Sequence, residues 1–420
     1  MTRTTIGIFM LAATAAFSQQ DPGPRAGTGN AGEPLPGLTA AQLAVFLAGQ
    51  EAFLDNEGVK QGLGPRFNLD SCGGCHAYPS TGGSSPARNP QIEAATKAGA
   101  LNSVPSFLTE SGPVKVVRFK RRPDRTPDGG VHALFVITGR NDAPAGCNII
   151  QEDFSNAANL TFRIPTPMYG AGLMEAIPDG ALLRNLGANR QLKQQLGIGG
   201  RLNHSGNDGT ITRFGWKAQN KSLMVFSGEA YNVEMGVTNE QFPNEREDNP
   251  ACATNGTPED ESHFDSIGMS DLAKFSTYMR FLDAPQPGPR SRSVDDGRNI
   301  FDNTGCALCH TPQWNTGRAS VDALTNRRFL LYSDLALHNM GTGLADGISQ
   351  GEAGPADFRS APLWGLGQRL FFLHDGRAAN LVDAIEAHAS EGSEANQVIE
   401  RYRALPGQQK QDLLSFLRSL

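Results

Sequence analysis

The stretch "GCALCH", residues 305–310, repeats a pattern that the chain already carries in "SCGGCH", residues 71–76. In each, two cysteines are separated by two residues and followed directly by a histidine, which is the spacing of covalent haem attachment. The thiols bond to the porphyrin, and the adjacent histidine turns back to bind its iron. Two covalently bound haem c groups are therefore predicted. Their attachment cysteines and iron ligands are Cys72, Cys75 and His76 in the first motif and Cys306, Cys309 and His310 in the second.

The N-terminus predicts export from the cytoplasm. Residues 1–18 combine Arg3, an apolar run from Ile6 to Phe17 and the small residue Ser18, which is the pattern of a signal peptide cleaved near that serine. The apolar run is too short to span a membrane as a helix. We therefore expect an exported protein without a membrane span, located in the periplasm if the source is a Gram-negative bacterium.

A structural zinc site or a redox dithiol is the other interpretation of the two motifs. Zinc usually requires four clustered ligands, and the neighbourhood of each motif offers three.

The two remaining cysteines fit an exported protein. Haem attachment leaves Cys147 and Cys252 unassigned among the 6 cysteines. In an exported protein such a pair most simply forms a disulfide.

Length and composition indicate the domain organisation. A chain of 420 residues can form two or three domains, and a net charge of −6 without a basic stripe disfavours binding to nucleic acid. We predict a mainly α fold of two cytochrome c-like haem domains, with a small β insertion in the first made by "VKVVRF" and "HALFVITG". The predicted segments are a signal peptide at 1–18, a flexible leader at 19–37, an N-terminal haem domain at 38–282, a linker at 283–293 and a C-terminal cytochrome c domain at 294–420.

A predicted amphipathic helix precedes each haem motif. "LTAAQLAVFLAGQEAF" and "SVDDGRNIF" both carry a glycine followed four residues later by a phenylalanine, Gly49 with Phe53 and Gly297 with Phe301. We expect the glycine to permit a close helix crossing while the ring packs near the porphyrin. Ser293 is the predicted N-cap of the second helix, and the C-terminal "QQKQDLLSFLRSL" is the helix expected to cross it.

An internal repeat relates the two halves. A shift of 158 residues lays most of "RFGWKAQNKSLMVF", residues 213–226, over "LFFLHDGRAANLVD" and matches Trp216 to His374 and Ser222 to Asn380. The identity is low. Together with the paired haem motifs, this weak internal similarity suggests two diverged copies of one haem module.

The stretch "HDGRAANLVDAIEAH", residues 374–388, begins and ends with a histidine. Asn380 followed by Asp383 predicts a helix start, so His388 is predicted to lie inside a helix. It falls seven residues after Leu381, on the apolar face that points to a core. Either His388 donates to a backbone carbonyl, as buried polar groups usually do, or it binds an iron.

Several blocks of the chain resemble the di-haem oxidoreductase family, whose members carry the labels thiol oxidoreductase or peroxidase. These blocks are "CGGCH", "GRFGWKAQ", "YSDLALHNMGTGLADG", "APLWGLG", "FFLHDGRAANLVDAIEAH" and "LLSFLRSL". The family in turn resembles the bacterial di-haem cytochrome c peroxidases and MauG-type enzymes. The resemblance covers the chain from about residue 40 to the end and implies a redox enzyme. Thiol chemistry is not supported, because haem consumes every cysteine in a C-x-x-C arrangement.

The resemblance also implies roles outside the two motifs. His388 occupies the position of the distal ligand of the C-terminal haem, where the peroxidases commonly have methionine, and Met340 is its competitor as ligand. Trp216 corresponds to a tryptophan that lies between the haems. Glu234 corresponds to the acid of the peroxide pocket, although it lies two residues closer than in the peroxidase pattern. Lys217 replaces an aspartate of that pattern.

The resulting expectation is a peroxidase-like enzyme. Peroxide would be reduced at the first haem, where Glu234 moves a proton, and a small donor protein, a cytochrome or a cupredoxin, would supply electrons through the second. Phe226 replaces the usual pocket glutamine, which departs from a conventional peroxidase mechanism. The alternative is a non-enzymatic di-haem electron carrier. Residues available as the sixth ligand of its first haem are His132, His204, Met168 and Tyr169.

A calcium site is a further possibility that the sequence raises without supporting. "PEDE", residues 258–261, is acidic enough to suggest one between the domains. A solvated loop is the simpler interpretation.

Overall fold

The computed structural model describes residues 19–260 and 267–420, so the predicted signal peptide lies outside the described residues. Helices contribute more residues than strands within these ranges, which confirms the mainly α class. No helix in either range is long and apolar enough to cross a membrane. The helices are α1 Ala40–Leu54, α2 Cys72–Cys75, α3 Gln91–Ala94, α4 Ala171–Glu175, α5 Asp179–Gly187, α6 Arg190–Gln195, α7 Leu223–Met235, α8 Asp271–Phe281, α9 Arg292–Thr304, α10 Gly341–Leu344, α11 Leu381–Glu386, α12 Asn396–Arg403 and α13 Gly407–Ser419.

Short antiparallel strands occur in both halves, whereas the sequence predicted them in the first half alone. The predicted β insertion is confirmed in part: "VKVVRF" contributes β2 to a three-stranded sheet in the order β3-β2-β5, whereas "HALFVITG" contributes the end of β3 together with β4, which pairs with β1 instead. The other described sheets are the pairs β6-β7, β8-β9 and β10-β11. The strands are β1 Arg66–Phe67, β2 Val116–Phe119, β3 Val131–His132, β4 Phe135–Val136, β5 Leu160–Arg163, β6 Asn203–His204, β7 Ile211–Thr212, β8 Gln313–Asn315, β9 Arg328–Leu330, β10 Leu337–Asn339 and β11 Asp357–Arg359.

Two helix pairs give each half the same frame, and a glycine makes each crossing. α1 packs on α8, and α9 packs on α13, as expected for the C-terminal helix. A β-carbon on Gly49 would lie 2.7 Å from the Lys274 carbonyl oxygen in α8, and one on Gly297 would lie 2.0 Å from the Asp412 carbonyl oxygen in α13. Only glycine allows the backbones to approach this closely, so the predicted role of both glycines is confirmed.

The phenylalanines in these helices lie near the histidines of the two motifs, and their contact with a porphyrin stays a prediction. The Phe53 ring lies 6.0 Å from the His76 ring, and the Phe301 ring lies 6.4 Å from the His310 ring. Ser291, rather than the predicted Ser293, is the N-cap of α9, and its side chain accepts from the Val294 N–H. The helix therefore begins inside the segment predicted as a linker.

The internal repeat is visible in the backbone. A bridge between Phe214 and Asn220 in the first half matches a bridge between Phe372 and Ala378 in the second. Each closes a turn directly before a helix, and the caps of these helices, Ser222 for α7 and Asn380 for α11, are the residues that the shift of 158 aligned. The two halves thus share a turn-and-helix unit despite their low identity.

The two halves share their larger core. It includes Phe53 and Phe275 from the first half together with Trp314, Phe329 and Trp364 from the second. A smaller core lies between α9, α11 and α13. The division into separate haem domains therefore stays a prediction, because apolar packing crosses the proposed boundary.

The leader contacts both halves, although its composition predicted a flexible segment. Asp21 forms an ion pair of 2.7 Å with Arg418 of α13, the Arg25 N–H donates to the Gly367 carbonyl, and Leu35 is buried. These long-range partners are invisible in a glycine- and proline-rich composition.

The disulfide prediction is confirmed, and the solvated-loop prediction for "PEDE" is wrong. Cys147 and Cys252 are bonded, with 4.6 Å between their α-carbons. Glu259 and Asp260 are buried, because the Glu259 carboxylate accepts from the Thr238 N–H and Asp260 accepts from the first N–H groups of α8. Glu261 lies outside the described residues, and no group of three metal-ligating side chains occurs in the part of the chain that the structure describes.

Candidate haem cavities

Each of the two C-x-x-C-H motifs lines a cavity. The first is lined by Cys72, Cys75 and His76 together with α7 and parts of β2 and β5. The second is lined by Cys306, Cys309 and His310 together with β11, α11 and α13. Each motif begins on a tight helical turn, which brings its two cysteines to one side and turns the histidine toward the cavity.

Three histidines at these cavities share one hydrogen-bond arrangement. In each, Nδ1 meets a backbone carbonyl oxygen, so an Nδ1–H can donate while Nε2 remains free to bind a metal. This arrangement is typical of histidines that ligate iron or zinc. The pairs are His76 with Gly83 at 3.0 Å, His310 with Tyr332 at 3.0 Å and His388 with Ala384 at 2.7 Å.

Burial keeps these imidazoles neutral, as ligation of a metal requires. Desolvation lowers the pKa of His76 and of His310 to about 4, and it also lowers the pKa of His388. A neutral histidine offers a lone pair to a metal near pH 7, whereas a protonated one does not.

His388 lines the second cavity, but it lies just beyond the helix rather than inside it. α11 ends at Glu386, and the His388 N–H donates to the Ile385 carbonyl in a tighter turn. The predicted N-cap is confirmed, since the Asn380 side chain accepts from the Asp383 N–H at 2.9 Å. Met340 lines the same cavity, so the structure brings both proposed ligands to one site.

Trp216 lines both cavities. Its ring is 9% exposed and its Nε1–H donates to the Ile164 carbonyl at 2.9 Å. The Ile164 N–H in turn donates to the His374 carbonyl at 2.8 Å. One residue, Ile164, therefore links the tryptophan to His374, the residue that the internal repeat aligns with it.

His374 belongs to an aromatic stack at the second cavity, which the sequence did not reveal. Its ring stacks on Phe358 with centroids 4.3 Å apart and meets Trp216 edge-on at 6.4 Å. Its Nε2 has no hydrogen-bond partner among the described residues, and burial lowers its pKa to about 4. His374 thus forms part of the wall of this cavity.

Glu234 lies on α7 and lines the first cavity. Burial raises the pKa of its carboxyl to about 7, the nearby Glu229 carboxylate adds to the rise, and Arg118 opposes it. A carboxyl with this pKa can both take and return a proton near neutral pH. Glu229 lines the same cavity and was missed by the sequence analysis, as no local pattern marks it.

Buried arginines supply a test of whether haem fits these cavities. Arg118 and Arg163 line the first cavity, and Arg359 and Arg369 line the second. Each has a buried guanidinium nitrogen without a hydrogen-bond partner among the described residues. An orphaned guanidinium is costly, and the carboxylates of a haem would satisfy it. The residues present therefore fit the group that the motifs predict.

Of the other ligands considered for the first haem, Met168 lines its cavity. His132 lies elsewhere, between the carboxylates of Asp128 and Glu152. His204 pairs with Glu352 at 3.1 Å on the surface. The hydroxyl of Tyr169 donates to the Ser80 carbonyl oxygen.

Two cavities of this kind in one mainly helical chain define the class of di-haem redox proteins. The family model described as "Di-haem oxidoreductase, putative peroxidase" matches residues 126–420. The chain therefore belongs to this di-haem oxidoreductase family. No curated protein matches the chain.

Solved structures with some similarity include a di-haem peroxidase. Hydrazine synthase of Kuenenia stuttgartiensis has a TM-score of 0.36 and 14% identity, covering 100% of both chains. A MauG-like protein associated with microbial copper homeostasis has a TM-score of 0.30 and 17% identity, covering 66% of this chain and 92% of that chain. The di-haem peroxidase BthA of Burkholderia thailandensis E264 has a TM-score of 0.32 and 13% identity, covering 67% of this chain and 92% of that chain.

Proposed function

We propose that the protein is an exported di-haem c-type cytochrome that reduces peroxide at the first cavity and takes in electrons at the second. The observation that carries this proposal is the asymmetry of the cavities. The second holds a further histidine, His388, with a free Nε2. The first holds instead a carboxyl, Glu234, whose pKa lies at about 7.

The chain's residues would hold the haems as follows. The cysteines of each motif attach the porphyrin, and His76 and His310 bind the two irons. His388 completes the second site in preference to Met340, because its Nδ1–H is already fixed on a carbonyl with Nε2 left free. Binding by two histidines would leave the second haem to carry electrons, whereas substrate would bind at the first cavity.

When bound, the haems supply the iron that binds peroxide and the two electrons that reduce it. Reduction of one H₂O₂ to two waters consumes two electrons and two protons. Glu234 would take the proton from the near oxygen of the peroxide and return it to the far one, so that water can leave. Arg118, which lines the same cavity, would favour the ionised carboxylate that starts the transfer.

Trp216 would lie on the electron route between the sites, since it lines both cavities and its ring is held by the Ile164 carbonyl. A small donor protein, a cytochrome or a cupredoxin, would provide the electrons. Export to the periplasm, with cleavage near Ser18, would place the protein where such donors and haem attachment occur.

The rival proposal is a di-haem electron carrier without catalysis. The presence of Met168 at the first cavity favours it, because a thioether could complete that iron. In that case neither site would accept peroxide.

Electron paramagnetic resonance of the oxidised holoprotein separates the two proposals. We expect a high-spin ferric signal from an open first haem, a low-spin signal from the second, and consumption of peroxide with a reduced donor. Two low-spin ferric signals in the oxidised protein, a low-spin signal from the one ferric haem that remains after half-reduction, and no peroxide consumption would establish the carrier. A Met168→Leu variant serves as the control, because it should change the first signal only if the methionine is a ligand.

A further inference from the structure

We propose that α5 and α6, residues 179–200, form the docking surface for a small acidic electron-transfer protein at the second haem. This inference rests on the proposed function in one respect, that electrons enter at the second cavity. The segment belongs to the first half of the chain, yet it covers the haem motif of the second half.

Apolar packing places the segment directly over the motif. Leu196 and Ile198 form a buried cluster with Leu308, which lies between the two cysteines of the motif, and Cys306 and Cys309 pack against this cluster. One layer of side chains therefore separates the segment's outer surface from the cysteines that would carry the haem. A protein bound there would be close to the haem edge.

Hydrogen bonds fix the segment in this place. The buried Lys193 ammonium donates to the carbonyl oxygens of Asn185 and Leu186 at 3.3 Å each, which ties α6 to the end of α5. The Asn185 side chain donates to the Thr311 hydroxyl at 3.0 Å, one residue after the predicted ligand His310. The surface is thus attached to the motif on both sides of its histidine.

The outer surface of the segment combines exposed leucines with exposed cations. Leu183 is 56% exposed and Leu192 is 40% exposed, and Arg184 and Arg190 are exposed beside them. An apolar centre with charges around it is typical of a surface that binds another protein transiently.

The positive charge of the segment predicts that its partner has a negatively charged face. Residues 179–200 contain two exposed cations, Arg184 and Arg190, the buried Lys193 and a single acidic residue, Asp179, in a chain whose net charge is −6. The carboxylates at its border are already paired, Asp179 with Arg213 and Glu394 with His338. A partner with an acidic face would therefore be attracted to this surface and repelled by most of the rest of the protein.

The exposed leucines of α1 form the main rival surface. Leu43, Leu47 and Leu54 are 38%, 52% and 46% exposed, and Leu54 lies next to Gly73 of the first motif. Glu51 is exposed on the same helix, and α1 contains no Lys or Arg. An acidic partner would find no complementary charge there.

The test uses the holoprotein and plastocyanin, an acidic cupredoxin, as the probe. Binding is measured by titration at low ionic strength for the native protein, an Arg184→Glu/Arg190→Glu variant and an Arg122→Glu/Arg125→Glu control. The control makes the same change in net charge on another exposed basic segment. We expect the first variant to weaken binding at least about ten-fold, the control to stay within about two-fold, and added salt to weaken native binding.

A Leu183→Ser/Leu192→Ser variant tests the apolar part and should also weaken binding at least about five-fold, while Leu43→Ser/Leu47→Ser should not. No binding by the native protein, equal loss in the arginine control, or loss in the α1 variant would overturn the docking surface. Donor oxidation by peroxide is measured separately. If plastocyanin binds as expected but peroxide is not consumed, the docking surface stands and the peroxidase proposal fails.

Discussion

At the scale of single residues, the free Nε2 atoms decide what the cavities can bind. His76, His310 and His388 each have Nδ1 next to a backbone carbonyl, so their rings cannot turn without losing a hydrogen bond. This fixes the direction in which each lone pair points. Glu234 differs because burial, rather than a hydrogen bond, sets the pKa of its carboxyl.

Replacing His388 tests its assignment as a ligand. We expect His388→Met to raise the reduction potential of the second haem, because a thioether favours ferrous iron more than an imidazole does. Spectroelectrochemistry of the holoprotein measures this potential. Met340→Leu is the matched control at the same cavity and should leave the potential unchanged; the opposite pattern would assign the ligand to Met340.

Replacing Glu234 tests proton transfer. The carboxyl must be ionised to accept a proton, and its pKa is raised from 4.5 to about 7, so peroxide consumption should rise with pH through about 7. Glu234→Gln should lower the rate by about 10²–10⁴-fold and remove this step from the pH profile.

Glu57→Gln is the control for this experiment. Burial raises the pKa of the Glu57 carboxyl to about 7 as well, but Glu57 lines neither cavity. Its variant should keep the rise in rate near pH 7. If it removed that rise and Glu234→Gln did not, Glu234 would not be the base.

At the scale of elements, one pair of helices crosses at a glycine beside each motif. Gly297 allows α9 to touch the backbone of α13, which holds Phe301 near His310. The internal repeat adds a turn and a capped helix to each half. In the first half this helix carries Glu234, and in the second it leads to His388.

Replacing Gly297 at the α9–α13 crossing should destabilise the protein. Gly297→Ala places a β-carbon 2.0 Å from the Asp412 carbonyl oxygen, so the helices must separate, and we expect a loss of about 1–3 kcal/mol in the free energy of unfolding. Urea denaturation measures this loss. Gly187→Ala is the control, because a β-carbon there meets nothing within 4 Å, and it should be neutral or slightly stabilising. Equal effects would mean that the crossing is not tight.

At the scale of the whole molecule, a buried carboxylate from the second half, Asp346, holds an arginine that lines the first cavity. The buried Asp346 carboxylate binds Arg163 at 2.8 Å and Lys217 at 3.1 Å. Arg163 lines the first cavity, and Lys217 follows Trp216 in sequence. Lys217, which replaces an aspartate of the peroxidase pattern, thus joins the halves through Asp346 and through carbonyls of residues 354–357.

Asp346→Asn should therefore destabilise the whole protein. It leaves two buried cations without a carboxylate, for which we expect a loss of about 3–5 kcal/mol in the free energy of unfolding. Thermal and urea unfolding of the holoprotein measure it. Asp124→Asn removes a fully exposed carboxylate and should change stability by less than about 0.5 kcal/mol. An Asp346 variant as stable as this control would contradict a structural role for the ion pairs.

Local patterns explain what could be predicted from the sequence. The haem motifs, the helix-crossing glycines, the Asn380 cap and the repeat offset by 158 residues all depend on spacing within one element or on comparing two short segments. The sequence predicted that α11 includes His388, but the helix ends at Glu386. The Ser393 hydroxyl, from a later turn, donates to the His388 carbonyl, and the sequence pattern of α11 does not show this contact.

The sequence by itself determined which residues form the two predicted haem-attachment motifs and which two cysteines remain to pair. Only the tertiary structure decided that Trp216 lies at both cavities, that Arg359 and Arg369 line the second with guanidinium nitrogens that have no partner among the described residues, and that α5 and α6 cover the distant motif. It also buried Glu259 and Asp260. The physical reason is that hydrogen bonds and packing between residues far apart in the chain leave no periodic trace in the sequence.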